Sequence, residues 1–449
     1  MKDRPELVRA LEKKDCALFV IGSIIGSGIF LTPSSIAKTT GNVESFLLVW
    51  LAGGALSFCG ALSYAELGAS LPKAGGIYVY LREAYGPMTA FLYGWCVFLA
   101  ILPGSIATLG SAFSIYARYL LPLSAVVAKS LAVAGILTLT MVNCLGVRSG
   151  ARVQNLLTVI KMASLVGIAI TLFLSEPRPL EDFLSVSGTE TLPWSSWGLA
   201  MIAVLWSYDG WHQLTLVAGE VRNPQKNITI GLLAGTLVVV VLYLMVNLAY
   251  LRSLPLFLIG NSDQVAADAM EHSIGSVGGI LVSLAILISV FGAMNANILG
   301  GPRVFFAMAR DGIFFKRLGH VDPQYLVPTV AIVVSGFLAS VMVYIGTFER
   351  LFSYVIFVSW IFYALGAAGV IVLRLKYPQM TRPYRVWGYP WIPILFVLAA
   401  IALILNAVVN DFRNSLWGVL VVTSGFPAYL YWNTWNRSDV RHEQSERFK

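Results

Sequence analysis

Cysteine and charge are both scarce in this sequence. Only 12% of its 449 residues are charged, and its four cysteines stand singly, with no CxxC pair and no Cys/His cluster. We therefore expect neither a disulfide framework nor a metal site. The sequence also lacks a Ser/His/Asp grouping and a GxxxxGK[ST] phosphate loop. These absences argue against an enzyme, a bound cofactor and a nucleotide-driven pump.

Apolar residues, by contrast, dominate the chain. They make up 57% of it and recur in runs of about 20 residues, the length that a helix needs to cross about 30 Å of hydrocarbon. The sequence thus predicts an all-α polytopic membrane protein. About twelve transmembrane helices are predicted, at residues 15–39, 44–70, 87–120, 126–146, 151–173, 196–220, 227–251, 274–309, 327–346, 350–374, 390–409 and 413–434. They form a single transmembrane domain (15–434) between an N-terminal segment (1–14) and a C-terminal tail (435–449).

The positive charges lie mostly on one side of the predicted spans. Of the 31 lysines and arginines, 23 fall in segments that share a side with the N-terminus. Loops rich in lysine and arginine stay in the cytoplasm, so we expect a multi-pass protein of the plasma membrane with both termini cytoplasmic. The net charge of +8 then reflects topology in a lipid bilayer, and no nucleic acid partner is expected.

One positive charge does not fit this pattern. Lys161 lies near the middle of the fifth predicted span. Insertion of a lysine at the centre of a membrane helix costs roughly 2.5–3.5 kcal/mol. A residue that costs so much is expected to have a function, and snorkelling to the interface is a poor alternative at this depth.

Two of the predicted spans are interrupted near their centres. Span one contains VIGSIIGSGIF (20–30), with three glycines, and span six contains LWSYDGWHQL (205–214), with an Asp-Gly turn signal. Each interior glycine costs a helix about 0.8–1 kcal/mol relative to alanine. Interrupted helices at corresponding positions in two halves indicate a secondary transporter built from inverted repeats, with its binding site at the midplane. Glycines that merely let helices pack closely are the alternative.

The ends of the interrupted helices predict a site for a zwitterion. If a half-helix begins after GSG, the amides of residues 27–29 and the Ser27 hydroxyl face an anion such as a carboxylate. Gly26 and Gly28 let that ligand approach the backbone closely. The half-helices that end near residues 24–25 and 205–207 leave carbonyl groups free, which suits a primary ammonium. Amides on one side and carbonyls on the other are complementary to an amino acid.

Two residues beside the second break each have two interpretations. Asp209 either caps the second half of span six, where aspartate is a favoured residue, or contacts the ligand directly. Trp206 either acts as a lid over the ligand or is an ordinary aromatic side chain that faces lipid or core.

Two features are predicted on the side of the N-terminus. The stretch PKAGGIYVYLREAYG (72–86) is expected to form a helix in the membrane interface, with its tyrosines at the level of the headgroups. Glu220, Arg222, Arg303 and Arg310 are expected to form ion pairs, which either gate this side or staple spans six and eight together.

Four stretches of the sequence together resemble the amino acid–polyamine–organocation (APC) superfamily, most closely its L-type amino-acid transporter branch and the related bacterial serine/threonine exchangers. They are IGSIIGSGIF, GALSYAELGASLPKAGGIYVYLREAYG (60–86), WSYDGWHQL followed by GEVRNPQKNI, and FGAMNANILGGPRVFFAMARDG (291–312). The last four spans match by hydropathy alone. The resemblance implies a leucine-transporter-like fold of five plus five inverted spans, with repeats at about 15–173 and 196–374 and two added helices at about 390–434.

The resemblance also implies roles for residues at the two breaks. It places the carboxylate of a bound amino acid on Ser27 and Gly28. The ammonium is placed on the backbone carbonyls of four residues, Ile24, Trp206, Ser207 and Asp209. Trp206 occupies the position of the gating phenylalanine of the family.

Lys161 matches a lysine that, in this branch, stands where sodium-coupled relatives bind an ion. Its ammonium would bridge span one near Gly22 to span eight near Asn297. Tyr243 matches a tyrosine of span seven that is linked functionally to this lysine.

These implications lead to a secondary transporter that moves neutral L-amino acids by sodium-independent, alternating-access exchange. A proton-coupled symporter of the same fold, in which Lys161 releases and regains a proton, is the alternative. A channel or receptor that binds amino acids is a third class. Animal members of this branch join an accessory glycoprotein through a cysteine after span three, and because this sequence has none there, no disulfide-linked accessory subunit is expected.

Overall fold

Helices make up nearly all of the chain that the structure describes. The computed structural model describes residues 6–175, 193–410 and 412–447, and within these ranges the β-type pairing is limited to an isolated bridge between Leu11 and Val221. Nine helical stretches of these ranges are long and apolar enough to cross a membrane. Three further segments (a broken span six, Thr329–Ile345 and Phe412–Arg447) bring the described spans to twelve. The predicted all-α polytopic fold is confirmed.

The helix bounds follow the predicted spans closely. In order, the spans are Lys13–Ile24 with Gly28–Thr40; Val43–Ser70; Pro87–Cys96, Val97–Ile101 and Leu102–Leu120; Ala125–Cys144; Val147–Leu174; Trp194–Tyr208 with Gln213–Glu220; Pro224–Ser253; Ser276–Gly300 with Pro302–Arg310; Thr329–Ile345; Phe348–Lys376; Trp391–Asn410; and Phe412–Arg447. The last helix extends beyond the predicted end of the membrane domain at residue 434. Residues 1–5 and 448–449 of the predicted terminal segments lie outside the described residues.

Spans one and six are both broken, as predicted. Span one stops at Ile24, and Ile25 takes an extended backbone (φ −70°, ψ 94°) before the helix resumes at Gly28. Span six stops at Tyr208, and Asp209 is likewise extended (φ −63°, ψ 151°). Gly210 then adopts φ +107°, a conformation that costs glycine little and other residues much. The two breaks touch, because a Cβ atom on Gly210 would lie 2.7 Å from the Ser23 carbonyl oxygen.

The first ten spans pack as two equivalent halves. Spans one to four each contact their counterparts, spans six to nine. Span five packs on spans one and eight, just as span ten packs on spans six and three. Because each half holds five spans, the second half starts on the opposite face of the membrane from the first. This arrangement is the inverted repeat of leucine-transporter-like proteins, whereas the residue limits of the repeats stay predictions.

The bundle has two ends, which we name from span one. The proximal face is where span one begins, and the distal face is where it ends, at Gly41. On the proximal face, the amides of Ala10 and Leu11 donate to the Glu220 carbonyl (2.8 and 3.0 Å), and the Arg222 amide donates to the Leu11 carbonyl (2.8 Å). These three backbone hydrogen bonds, which we call the N-terminal strap, tie the start of span one to the end of span six.

The helix predicted within residues 72–86 is confirmed, but the placement of its tyrosines at the level of the headgroups was wrong. Ile77–Tyr85 is a helix that lies inside the proximal end of the bundle, where Tyr78 and Tyr80 are fully buried. The Tyr78 hydroxyl donates to Asp311 (2.6 Å), just after span eight. The sequence suggested the interface because tyrosines are common there, but these rings fill space between spans instead.

Candidate functional site

The two breaks meet around a small cavity in the middle of the bundle. Its lining residues are Ser23, Ile24, Gly26, Ser27, Gly28, Ser105, Leu109, Trp206, Asp209, Gln213, Ala293 and Asn297. The cavity volume of about 20 Å³ is room for about one water molecule. Six of the seven residues predicted to contact a substrate line the cavity, and the seventh, Ser207, lies behind Gly28.

One wall of the cavity presents hydrogen-bond donors. The second half of span one starts at Gly28, directly after Ser27, and the first amides of a helix have no acceptor within that helix. Ser27 is 1% exposed, and its hydroxyl has no hydrogen-bond partner among the described residues. The helix terminus adds a partial positive charge. This wall is therefore suited to an anionic group such as a carboxylate.

Only glycine fits at position 28, because the backbone of span six at Ser207 lies directly against it. A Cβ atom at this position would lie 2.5 Å from the Cα atom of Ser207 and 2.6 Å from its hydroxyl oxygen. The Ser207 hydroxyl lies 2.6 Å from the Thr32 hydroxyl, within hydrogen-bond distance. Ser207 thus joins spans one and six with its side chain, and only its backbone remains for a ligand.

The opposite wall consists of carbonyl groups at the ends of two half-helices. The Ile24 carbonyl accepts a hydrogen bond from the Tyr243 hydroxyl (3.1 Å), and the Trp206 carbonyl accepts one from the Asp209 amide (3.2 Å). A carbonyl oxygen has two lone pairs, so the Ile24 carbonyl can accept another hydrogen bond. The wall keeps the acceptor character that an ammonium requires.

Lys161 lies behind this wall and is fully buried. Its ammonium donates to the carbonyls of Gly22 (2.8 Å) and Ile25 (2.6 Å), the last turn of the first half-helix. Ser289 of span eight donates to the Gly26 carbonyl (3.1 Å) on the same stretch. The break in span one is thus stabilised by donors from spans five, seven and eight.

The contact between Lys161 and span eight differs from the predicted one. A Cβ atom at Gly292 would lie 3.0 Å from the Lys161 ammonium nitrogen, so the lysine approaches span eight at Gly292. Asn297 lies more than one helical turn further along and lines the cavity, where its side-chain oxygen accepts from Gln213 (3.1 Å). The resemblance predicted the correct pair of spans, but not the position along span eight at which Lys161 contacts it.

Asp209 does not cap the second half of span six. That half starts at Gln213, and Asp209 instead follows the last residue of the first half. Its carboxylate accepts from the Tyr363 hydroxyl (3.1 Å), which also lies 3.3 Å from the imidazole Nε2 of His212. The left-handed turn at Gly210 moves the carboxylate away from the next helix start, which explains the failure of the cap prediction.

Trp206 stands between the small cavity and a larger distal pocket. Its ring lies 6.5 Å from the ring of Phe348, edge to face, at the start of span ten. Trp206 lines the cavity, and Phe348 lines the distal pocket of about 980 Å³. Burial of Trp206 excludes the interpretation that its ring faces lipid, and its role as a lid stays a prediction.

A buried ion pair closes the proximal side. Arg303 donates to both carboxylate oxygens of Glu220 (2.8 and 3.0 Å), and neither side chain is more than 1% exposed. Arg222 pairs instead with Glu12 (3.3 Å) at the surface. Loss of one partner in a buried pair leaves an uncompensated charge, which costs about 3–5 kcal/mol. The Glu220–Arg303 pair therefore joins spans six and eight firmly.

We expect the substitution Glu220→Gln to open the proximal side. A reporter cysteine at Ala307, which packs against Gly75, should react faster with a membrane-impermeant thiol reagent in a background without the four native cysteines. The control is Arg222→Gln, because its ion pair is half exposed and such pairs contribute little. Equal labelling rates in both variants would show that the buried pair does not hold this side closed.

Sequence reasoning missed the rest of the cavity wall. The residues missed are Ser23, Ser105, Leu109, Gln213 and Ala293. Ser105 and Leu109 lie one turn apart on span three, whose sequence PGSIATLGS has small residues but no charge or break that marks a site. Only the packing of span three against span eight brings them here.

The described part of the chain offers little to a metal ion. It contains no group of three or more His, Cys, Asp or Glu side chains placed to hold one, and its four cysteines are free. Asp209 is the single carboxylate residue that lines the cavity.

Comparison with known proteins agrees with this geometry. The model of the amino acid permease family matches residues 11–426. The chain belongs to this family. The permease is 32% identical to the serine/threonine exchanger SteT of Bacillus subtilis over 91% of the chain and 93% of the exchanger. It is also 34% identical to b(0,+)-type amino acid transporter 1 of Mus musculus and 30% identical to the cystine/glutamate transporter of Homo sapiens.

Both mammalian matches extend over most of the permease. They cover 92% and 93% of this chain, and 85% and 84% of the two relatives. The resemblance to the APC superfamily and its L-type branch is thereby confirmed. The family match at residues 11–426 includes three of the four spans that matched by hydropathy alone and the first part of the last one. The family and these relatives are transporters, not enzymes.

Proposed function

We propose that the permease exchanges neutral L-amino acids across the plasma membrane, independently of sodium, by alternating access. The substrate carboxylate binds at Ser27 and at the amides that begin with Gly28. Its ammonium binds the carbonyls of Ile24 and Trp206, with those of Ser207 and Asp209 completing the site. Gly26 lets the ligand approach between the two walls.

The observation that carries this proposal is the bonding of Lys161. A fixed ammonium occupies the carbonyls of Gly22 and Ile25, which would otherwise suit a small cation. Span one thus has its positive charge built in, and no sodium ion is needed to stabilise the break. Tyr243 supports the same turn through Ile24, and Asn297 supports the opposite wall through Gln213.

The cavity also has to open on one side or the other before a substrate can enter or leave. Its volume of about 20 Å³ is much too small for an amino acid. Substrate entry therefore requires movement of Trp206 and Phe348 on one side, and exit requires separation of Glu220 from Arg303 on the other. Opening of these two barriers in turn would give the alternating access that we propose.

The membrane arrangement belongs to the same proposal. We infer that the proximal face, which carries the strap, is cytoplasmic and that both termini lie there, because lysine and arginine concentrate on this side. The distal pocket is then the extracellular vestibule. The two repeats lie at about 15–173 and 196–374, and no disulfide-linked accessory subunit takes part.

Uptake into proteoliposomes tests the proposal. Labelled alanine, serine and leucine are offered to vesicles that are empty or preloaded with unlabelled amino acid, with and without gradients of sodium and pH. We expect uptake that requires internal amino acid and ignores both gradients. Uptake into empty vesicles driven by an inward proton gradient would make Lys161 a proton carrier, and conductance without a need for counter-substrate would indicate a channel.

A further inference from the structure

We propose that Gln213 determines substrate preference in the permease, through a free side-chain oxygen that selects amino acids whose side chains donate a hydrogen bond. This inference rests on the proposed function and adds the class of side chain that the site prefers. Gln213 is the first residue of the second half of span six, is 5% exposed, and lines the cavity.

The hydrogen bonds around Gln213 fix the orientation of its amide. The side-chain nitrogen of Asn297 donates to the Ala293 carbonyl (3.0 Å), an atom that can only accept. The side-chain oxygen of Asn297 therefore faces Gln213 and needs a donor. The Gln213 Nε2 atom supplies that donor at 3.1 Å. The amide of Gln213 cannot be reversed without placing two oxygens against each other.

This fixed orientation leaves the Gln213 Oε1 atom without a partner. It is buried and accepts no hydrogen bond from any described residue. An unsatisfied acceptor in the interior costs about 1–3 kcal/mol. A ligand that donates a hydrogen bond to Oε1 recovers this free energy, whereas an apolar ligand of the same shape does not.

The position of Gln213 assigns this oxygen to the side chain of the substrate. The proposed carboxylate and ammonium contacts come from the broken segments of spans one and six. The remaining lining residues, which surround the space left for the side chain, are Ser23, Ser105, Leu109, Gln213, Ala293 and Asn297. Among them, Leu109 and Ala293 are apolar and lie close to Gly26, so that space is narrow.

Small hydroxyl side chains match these walls better than apolar ones. A site built to hydrogen-bond a hydroxyl group discriminates strongly against the analogue that lacks it, because its own polar group is then left unpaired. Threonine and valine are the sharpest probes, since they have nearly the same shape and differ by a hydroxyl in place of a methyl group.

Competition for uptake of labelled alanine measures this preference. On the unmodified permease, we expect threonine to compete at a concentration about tenfold or more below that of valine, the ratio that one hydrogen bond of about 1.4 kcal/mol produces. Equal potency, or a preference for valine, would overturn the proposal without any variant. Absence of any uptake of labelled alanine would instead overturn the proposed function.

The variant Gln213→Met then identifies the responsible atom. It keeps a similar length but removes the acceptor, so the threonine-to-valine ratio should fall towards one while valine still competes. The matched control is Gln225→Met, which makes the same change at an exposed position at the start of span seven and should leave the ratio near that of the unmodified chain. If Gln213→Met weakens threonine and valine by the same factor, Oε1 binds the ammonium group and the proposal is wrong.

Discussion

Replacing Lys161 by methionine is expected to reduce amino acid exchange by about a hundredfold or more. Methionine keeps much of the volume of the lysine side chain. It cannot donate hydrogen bonds to the carbonyls of Gly22 and Ile25, which lie in the interior of the bundle. Each buried acceptor left unsatisfied costs about 1–3 kcal/mol, and a rate falls tenfold for about every 1.4 kcal/mol added to its barrier. Counterflow into preloaded proteoliposomes measures the effect.

The control for this experiment is Lys226→Met. Lys226 is exposed at the start of span seven, so its loss removes one lysine without touching the breaks, and exchange should stay close to that of the unmodified chain. A separate binding measurement shows whether the Lys161 variant is folded. Near-normal turnover of Lys161→Met would contradict the view that its ammonium stabilises the break in span one.

Replacing Gly28 by alanine is expected to weaken the binding of every amino acid by about tenfold or more. The added methyl group would lie 2.5 Å from the Ser207 Cα atom, which is backbone and cannot rotate away. Overpacking of this kind costs about 1–3 kcal/mol, and relief requires that the start of the half-helix move off span six. The amides that bind the carboxylate would move with it. Half-saturation of uptake and protection of the purified protein against thermal unfolding both report the change.

A glycine in a membrane helix with open space around it provides the matched control. Gly167 of span five has nothing within 4 Å of a built Cβ atom, so Gly167→Ala adds the same methyl group without a clash. We expect its affinities to be unchanged. Should Gly28→Ala bind alanine, serine and leucine as tightly as Gly167→Ala does, the carboxylate does not bind at the start of this half-helix.

The features of the fold that sequence predicted well are those that the membrane dictates. Apolar runs of about 20 residues define the spans because a helix must satisfy its own backbone in lipid. The breaks in spans one and six were predictable for the same reason, since three glycines and an Asp-Gly pair are costly unless the chain has to open there. Lys161 was conspicuous because a charge in this position is expensive.

The features that sequence missed depend on contacts between distant spans. Ser105, Leu109 and Ala293 are ordinary residues of apolar helices, and only the packing of spans three and eight makes them cavity walls. The cap interpretation of Asp209 was wrong because the direction of its carboxylate depends on the left-handed turn at Gly210. The tyrosines of the helix at Ile77–Tyr85 were placed in the interface on composition alone, whereas the hydroxyls of Tyr78 and Tyr85 donate to Asp311 and to the Leu365 carbonyl, which lie far away in the chain.

The N-terminal strap has a mechanical consequence for the cycle. Its backbone hydrogen bonds connect Ala10 and Leu11, which precede span one, to Glu220 and Arg222, which follow span six. The two half-helices of the proximal face are therefore joined by backbone hydrogen bonds, and we expect them to move together. Glu220 also forms the ion pair with Arg303. Separation of this one pair would therefore release both half-helices on the proximal side at the same time.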